Sequence, residues 1–213
     1  MKDDLPQWTV TLICGASGVG KSGVAIPLAA RYGVPLAEAD DIVTALHALT
    51  TPEHHPILHY WDTHPEMLAA QPERIADMHF AVADALRPGF EAIIADHVDA
   101  GAPVVFEGDY LMPDLVAGFG GAVRAVVLAE TSADQVVANL YAREPAEGEQ
   151  ALRARVTTVV DATLARRASD IGVPVVAARP WSDGLDRVDA ALRAGTLPTP
   201  TRSGANRPES GSR

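Results

Sequence analysis

A glycine-rich stretch near the start of the chain, GASGVGKSG at 15–23, carries the residues best suited to bind a charged ligand. Its first eight residues fit the pattern G-x-x-x-x-G-K-[ST], with Gly15, Gly20, Lys21 and Ser22 at the four fixed places. Glycine is needed there because successive backbone N–H groups must turn around a phosphate, and a Cβ atom would collide or forbid the dihedral angles. The stretch therefore predicts a nucleoside triphosphate site.

Each part of this loop has an expected role. Lys21 places a positive charge between the β- and γ-phosphates, and the hydroxyl of Ser22 is a ligand for Mg²⁺. The start of the following helix adds unpaired N–H donors and a partial positive charge. We therefore expect ATP and Mg²⁺ as cofactors, bound by a set of loop residues: Gly15, Ser17, Gly18, Val19, Gly20, Lys21, Ser22 and Gly23.

Carboxylates follow two further predicted strands, in the segments EADDI and FEGDY. Asp40 is the predicted general base, because a carboxylate near the γ-phosphate can accept the proton of an attacking hydroxyl. Asp41 is a second candidate for substrate binding, with helix capping as the alternative. Glu107 is expected to hold Mg²⁺ or to fix a substrate hydroxyl, and Asp109 is expected to fix a substrate hydroxyl. The alternative for both residues is a turn whose acids face solvent.

Arginines flank the polar break EPAEGE, and this arrangement is typical of a lid that closes over a nucleotide. We predict a lid around residues 143–155, with Arg143 as a catalytic group that neutralises the transferred phosphoryl group. Arg155 is expected to bind ATP. A solvated helix face is the alternative for each of these arginines.

The region 44–100 is the expected acceptor side of the site. Its segment TTPEHHPILHYWDTHP holds three prolines and four histidines, which predicts a loop or irregular insertion. His59 and Trp61 are the predicted substrate contacts, through hydrogen bonding and stacking. A zinc site at His55 and His59, which have i, i+4 spacing, is a weaker alternative, since Pro56 lies between them.

Composition excludes several other classes of protein. The formal net charge is −11 and Lys2 and Lys21 are the only lysines, so a nucleic-acid or anionic-membrane surface is not expected. The single cysteine, Cys14, ends an apolar run and is predicted to be a buried thiol. With no apolar run of membrane-spanning length and no signal-peptide pattern, we expect a cytoplasmic protein. The oligomeric state is left open.

Strand-like and helix-like segments alternate along the chain, which predicts an α/β fold with a five-stranded parallel sheet and helices on both faces. Residues 1–195 are expected to form one domain, and the Pro/Gly/Ser/Thr-rich tail 196–213 is expected to be disordered. The predicted strands are 8–14, 34–39, 102–108, 122–130 and 173–180. The predicted helices are 21–33, 40–49, 72–100 with a break at 87–89, 132–143, 152–170 and 182–195.

Together, ICGASGVGKS, ADDI, FEGDYLMP and the arginine-flanked break resemble the small P-loop kinases of the nucleotide-kinase-like group. EGDYLMP is similar to the E-G-x-x-L-x-P element of 2-phosphoglycerate-kinase-like proteins, and the layout is similar to shikimate kinase, gluconate kinase and chloramphenicol phosphotransferase. The resemblance implies a P-loop NTPase three-layer sandwich with a helical lid. It also implies that Asp40, with Ile42 two residues later, is the substrate-side carboxylate, and that ARPWSDG holds adenine, with Arg179 and Trp181 near the base.

The leading function hypothesis is an ATP-dependent phosphotransferase that acts on a hydroxyl of a small molecule. The acceptor region 44–100 has only Arg74 and Arg87 as cations, so a neutral antibiotic, nucleoside or sugar-like natural product is expected rather than a dianion. The alternatives are a 2-phosphoglycerate-kinase-like enzyme of a hydroxy acid and a non-catalytic ATP-binding regulatory protein.

Overall fold

Five parallel strands form the centre of the structure, a computed structural model that describes residues 5–145 and 150–195. Their order across the sheet is β2–β3–β1–β4–β5. Every residue of β1 and β3 is buried, as expected for strands of a parallel sheet that is covered on both faces. The strand bounds are β1 Val10–Cys14, β2 Leu36–Glu38, β3 Val104–Gly108, β4 Val123–Ala129 and β5 Val175–Ala177.

Seven α-helices connect and cover these strands in the described part of the chain. Short 3₁₀ turns lie at Pro65–Ala69, Pro113–Val116, Gly120–Ala122 and Trp181–Asp183. The helix bounds are α1 Lys21–Tyr32, α2 Ala39–Leu49, α3 Tyr60–Thr63, α4 Pro72–Ala100, α5 Ala133–Arg143, α6 Ala151–Asp170 and α7 Gly184–Ala194.

Two pairs of helices pack on the sheet, α1 beside α7 and α4 beside α6. Phe90 of α4 meets Phe106 of β3 edge to face, with ring centroids 5.7 Å apart, so aromatic packing joins helix and sheet. Cys14 is fully buried, and burial raises the pKa of its thiol to about 12, which fits a structural role. The predicted α/β P-loop fold is confirmed.

The long helix α4 differs from the prediction, because it continues through Pro88 instead of breaking at 87–89. A proline inside a helix removes one backbone hydrogen bond. Buried side chains keep the same face on both sides of Pro88, from Phe80 and Leu86 to Phe90 and Ile94. Packing of this continuous apolar face against the sheet therefore outweighs the local cost.

Strand register brings the predicted functional segments to one edge of the sheet. Cys14 is aligned with Gly108, and Glu38 is aligned with Glu107, so β1, β2 and β3 end side by side. Gly108 makes this approach possible, since a Cβ atom there would lie 2.3 Å from the Cβ of Ala39. The first turn of α2 thereby comes close to the end of β3.

Two predictions concern residues outside the described part of the chain: the centre of the lid at 146–149 and the disordered tail 196–213. Within the described residues, none of the helices has both the length and the apolar character that a membrane span requires.

Candidate active site

The glycine-rich loop runs from the end of β1 to the start of α1 and lines a cavity of about 180 Å³. Gly20 has a φ of +97°, and a Cβ atom there would lie 2.3 Å from the ring of Trp181. Only glycine fits this conformation and this spacing. The cavity walls are formed by Gly18, Gly20, Lys21, Ser22, Gly23, Asn139 and Arg143, and we call this space the donor cavity.

Side chains of α5 and α6 hold the loop from behind. Asn139 donates a hydrogen bond of 2.8 Å to the carbonyl of Gly18, and Thr157 donates one of 2.9 Å to the carbonyl of Ser17. Val19 is fully buried. The sequence analysis did not identify Asn139 or Thr157, because nothing in their local sequence distinguishes them from other helical polar residues.

The first turn of α1 is joined to the end of β3 by a short contact. The hydroxyl of Ser22 donates a hydrogen bond of 2.5 Å to Oε1 of Glu107, and Glu107 is buried. A hydroxyl and a carboxylate beside a phosphate loop are the oxygen ligands that Mg²⁺ prefers. These two residues therefore fit the ion that the motif implies.

Asp40 and Lys21 line a second cavity, of about 220 Å³, which we call the acceptor cavity. Lys21, Ser22 and Arg143 line both cavities, so the two spaces adjoin at the loop. The full lining of the acceptor cavity is Ser17, Lys21, Ser22, Glu38, Asp40, Glu107, Gly108, Asp109 and Arg143. Glu38 was not identified from the sequence, although it ends β2 two residues before the predicted base Asp40.

The pKa of Asp40 is raised above its usual range. Desolvation is the largest cause, followed by repulsion from Asp109, and the nearby Lys21 only partly offsets these effects. A carboxylate whose pKa lies closer to neutrality is a better proton acceptor. Asp40 and Asp41 are both exposed, but Asp40 lines the acceptor cavity and Asp41 does not, so Asp40 remains the predicted base.

A group of aromatic residues lies behind Asp109. The ring of Tyr110 stacks on His79 with centroids 4.6 Å apart, and the neighbouring Trp61 partly offsets the desolvation that raises the pKa of Tyr110. His79 also bonds the backbone carbonyl of Asp109 at 3.0 Å. Trp61, a predicted substrate contact, does not line the acceptor cavity, and neither does Tyr110. His79 lies inside the predicted region 44–100, but no motif marks it in the sequence.

His59 does not reach the acceptor cavity in the structure. It is 6% exposed, its Nε2 lies 3.0 Å from the hydroxyl of Thr50, and its ring packs on His47 at 4.1 Å. His47 in turn bonds Asp62 at 2.6 Å. These contacts fasten the acceptor region to α2, so substrate binding by His59 remains a prediction that this position does not support.

The histidines group differently from the zinc alternative considered above. Among the described residues, His59 lies with His47 and Asp62, with potential ligand atoms within 4.8 Å of one another, and not with His55. Asp62 is already bonded to His47, and Thr50 to His59. Protein contacts therefore satisfy these groups.

The predicted lid arginines occupy different positions. Arg143, at the end of α5, lines both cavities and pairs with Glu144 at 2.6 Å. Arg153 also pairs with Glu144. Arg155 is exposed and lines neither cavity. Arg143 is thus the best-placed arginine of the three for contact with a transferred phosphoryl group.

Residues after β5 approach the loop from the other side. Trp181 is 46% exposed and lies against Gly20. Arg179 is held by Glu130 through two hydrogen bonds, of 2.6 and 3.0 Å. Burial works against ionisation of Glu130, but bonds from Arg179 and from the backbone of Ser132 give it a lowered pKa. Trp181 is therefore better placed than Arg179 to contact the adenine ring of a bound nucleotide.

The chain is similar in sequence to a curated kinase. The chain is 29% identical over 178 residues to a 2-phosphoglycerate kinase of Pyrococcus horikoshii, across 78% of this chain and 58% of that relative. The resemblance to P-loop small-molecule kinases is confirmed. The chain spans little more than half the length of this curated relative, and no family model matches it.

Solved structures agree on the fold. A sugar kinase from Janibacter sp. HTCC2649 has a TM-score of 0.50 and 18% identity, covering 87% of this chain and 95% of that one. A shikimate kinase from Acinetobacter baumannii, in complex with shikimate, has a TM-score of 0.50 and 12% identity, covering 88% of this chain and 96% of that one. At these identities the likeness shows the fold alone.

Proposed function

We propose that this protein is an ATP-dependent phosphotransferase that moves the γ-phosphate to a hydroxyl of a small molecule. The observation that carries the proposal is that Lys21 and Ser22 of the phosphate loop line the same cavity as Asp40. A triphosphate in the donor cavity and a hydroxyl beside Asp40 would meet at the loop. Phosphoryl transfer requires this adjacency, because the enzyme acts mainly by positioning the γ-phosphate and the acceptor hydroxyl next to each other.

In the proposed reaction, Asp40 accepts the proton of the acceptor hydroxyl as its oxygen attacks the γ-phosphorus. The bond between the γ-phosphorus and the β–γ bridging oxygen breaks, and ADP leaves. Lys21 now donates to the carbonyl of Ala16 at 3.1 Å and would turn toward the phosphates. Arg143 would leave its ion pair with Glu144 and contact the transferred phosphoryl group. Mg²⁺, held by Ser22 and Glu107, supplies charge neutralisation at the phosphates when bound.

We assign the parts of the chain accordingly. Residues 1–195 form one kinase domain, residues 143–155 act as the lid, and 44–100 supply the acceptor side. The proposed acceptor is a hydroxylated natural product such as an antibiotic, a nucleoside or a sugar-like compound. The similarity to a 2-phosphoglycerate kinase favours a hydroxy acid as the second candidate, but the carboxylates Glu38, Asp40 and Asp109 around the cavity weigh against a dianion.

Asp40→Asn tests this function against a non-catalytic ATP-binding role. The variant is expected to bind ATP with wild-type affinity, measured by calorimetry, and to lose acceptor-dependent ADP release by a factor of about 10²–10⁴. Asp99→Asn, which removes an exposed carboxylate at the far end of α4, is the matched control. Normal turnover by Asp40→Asn would show that Asp40 is not the base.

A further inference from the structure

A further cavity, of about 150 Å³, adjoins the acceptor cavity, and we call it the apolar cavity. Ser17 of the phosphate loop lines both spaces, so the apolar cavity lies next to the one that holds Asp40. Aliphatic side chains from four segments of the chain form most of its wall. They are Leu68, Ile75, Leu140, Leu152 and Val156.

The polar side chains that α6 contributes to this wall already have protein partners. Thr157 donates its hydrogen bond to the carbonyl of Ser17, at 2.9 Å. Arg153 pairs with Glu144 and donates to the side-chain oxygen of Gln150, at 3.1 Å. A polar ligand group in this space would lose its hydrogen bonds to water and find few replacements. An apolar group would not carry this cost.

Three of the aliphatic wall residues are not used in the protein interior. Leu68, Ile75 and Leu152 belong to neither of the buried hydrophobic cores that the described residues form. Leu68 is 57% exposed, so the apolar cavity reaches the protein surface at this residue. Contact with an apolar ligand group would remove these side chains from water, and this burial favours binding.

The origin of the wall residues favours the acceptor as the occupant. Leu68 and Ile75 lie in the region proposed to supply the acceptor side, and Leu152 lies in the proposed lid. The central lid residues 146–149 are AEGE in sequence, so they offer no large apolar side chain to fill the space. Trp181, the residue best placed to contact adenine, does not line the apolar cavity.

We infer that the acceptor carries an aromatic ring, which enters the apolar cavity beside Ser17 while the hydroxyl faces Asp40. The volume suits such a group, since an apolar cavity of roughly 150 Å³ in another protein binds benzene. The inference rests on the proposed function and specifies its substrate class. It favours an aryl-substituted alcohol or glycoside over a plain sugar or a phosphorylated hydroxy acid.

Matched acceptors test the inference. ADP release is measured for ethylene glycol and styrene glycol, its phenyl derivative, and for methyl and phenyl β-D-glucoside. Calorimetry with a non-hydrolysable ATP analogue measures the binding of the same compounds. Within each pair, we expect the aryl member to have a kcat/KM and an affinity at least about tenfold higher.

Variants of the wall locate this preference. Ile75→Asn makes the wall polar and Leu152→Trp fills the space, so each is expected to reduce the aryl preference to below about threefold. Both residues lie outside the two hydrophobic cores, so the variants are expected to fold. Ile26→Asn is the matched control and should preserve the preference. Ile26 is 56% exposed, lies outside both cores and lines none of the three cavities.

The outcomes are distinguishable. Equal turnover within each pair overturns the inference and leaves the kinase proposal standing. An aryl preference that survives in either wall variant also overturns it, because the ring would bind elsewhere. If the aryl compounds bind but no compound increases ADP release above the rate with water, the kinase proposal is contradicted, and with it the assignment of the ring to an acceptor. Absence of both binding and turnover contradicts both proposals.

Discussion

The hydroxyl of Ser22 and the carboxylate of Glu107 lie 2.5 Å apart, although 85 positions separate them in the chain. This contact joins the start of α1 to the end of β3 and defines where a divalent cation would meet the phosphates. Glu107 and Asp109, two residues apart, both line the acceptor cavity, and Glu107 in addition accepts the hydrogen bond from Ser22 of the phosphate loop.

Glu107→Gln is expected to weaken the response to magnesium. Loss of the carboxylate charge removes the anionic ligand, so the Mg²⁺ concentration for half-maximal ADP release should rise about 10–100-fold. The measurement is a magnesium titration at saturating ATP. Glu91→Gln, an exposed residue of α4 in a surface pair with Arg87, is the control. An unchanged titration for Glu107→Gln would exclude it as a ligand.

The pH profile reports the environment of Asp40. The base must be ionised, so activity is present above its pKa and is lost as the pH falls through it. Because desolvation and Asp109 raise the pKa of Asp40, the acid limb of kcat/KM should lie above the usual aspartate range. Asp109→Asn removes one repelling charge and should move that limb to lower pH. A limb that stays in place would contradict the coupling between these two carboxylates.

Arg143→Ala is expected to lower kcat by about 10²–10³-fold, since this arginine lies where the phosphoryl group would pass between the two cavities. Arg155→Ala should have a smaller effect because that side chain lines neither cavity. Steady-state kinetics of both variants are compared with Arg166→Ala, an exposed arginine on α6. A larger loss in Arg155→Ala than in Arg143→Ala would reverse the assignment.

Tryptophan fluorescence can report nucleotide binding. Trp181 lies against Gly20 of the phosphate loop, whereas Trp61 is a neighbour of Tyr110 and lines neither cavity. ATP binding should change the emission of Trp181, so Trp181→Phe should lose most of the ATP-dependent signal while Trp61→Phe retains it. If both variants keep the full ATP signal, Trp181 does not report the nucleotide.

We expect Asp161 of α6 to make the free energy of unfolding depend on pH. It is 3% exposed, and desolvation, together with the charge of Glu130, raises its pKa to about 7 against the hydrogen bond from the Glu130 backbone. A carboxyl whose pKa is raised by folding stabilises the native state below its unfolded pKa, and this stabilisation is lost as the pH rises toward 7.

Asp161→Asn removes this titration and keeps an acceptor for the backbone N–H of Glu130, which lies 3.0 Å from Oδ2. We expect the variant to be more stable than the wild type at pH 8 by about 1–3 kcal/mol, with little difference near pH 4. Urea denaturation at both pH values measures the free energy of unfolding. Asp99→Asn should keep the wild-type slope, and the same slope in Asp161→Asn would disprove the assignment.

Local signals in the sequence determined the phosphate loop, the five strands and the parallel α/β fold. The conformation of the loop 15–22 is predictable because its glycine spacing restricts the backbone dihedral angles of consecutive residues. Buried parallel strands are recognisable from their apolar runs. The continuity of α4 through Pro88 was not predictable in this way. It depends on the burial of a continuous face of the helix, with Phe90 packed against Phe106 of a sheet that the local pattern does not describe.

Only the tertiary structure decided how the candidate site is divided. The strand order β2–β3–β1 sets Asp40 beside Asp109, joins Ser22 to Glu107, and brings His79 and Tyr110 behind the acceptor wall. It also separates Arg143 from Arg155 and directs His59 away from the cavity. The physical reason is that these relationships join distant segments through strand register and helix packing, while each residue's own neighbours in sequence are compatible with several arrangements.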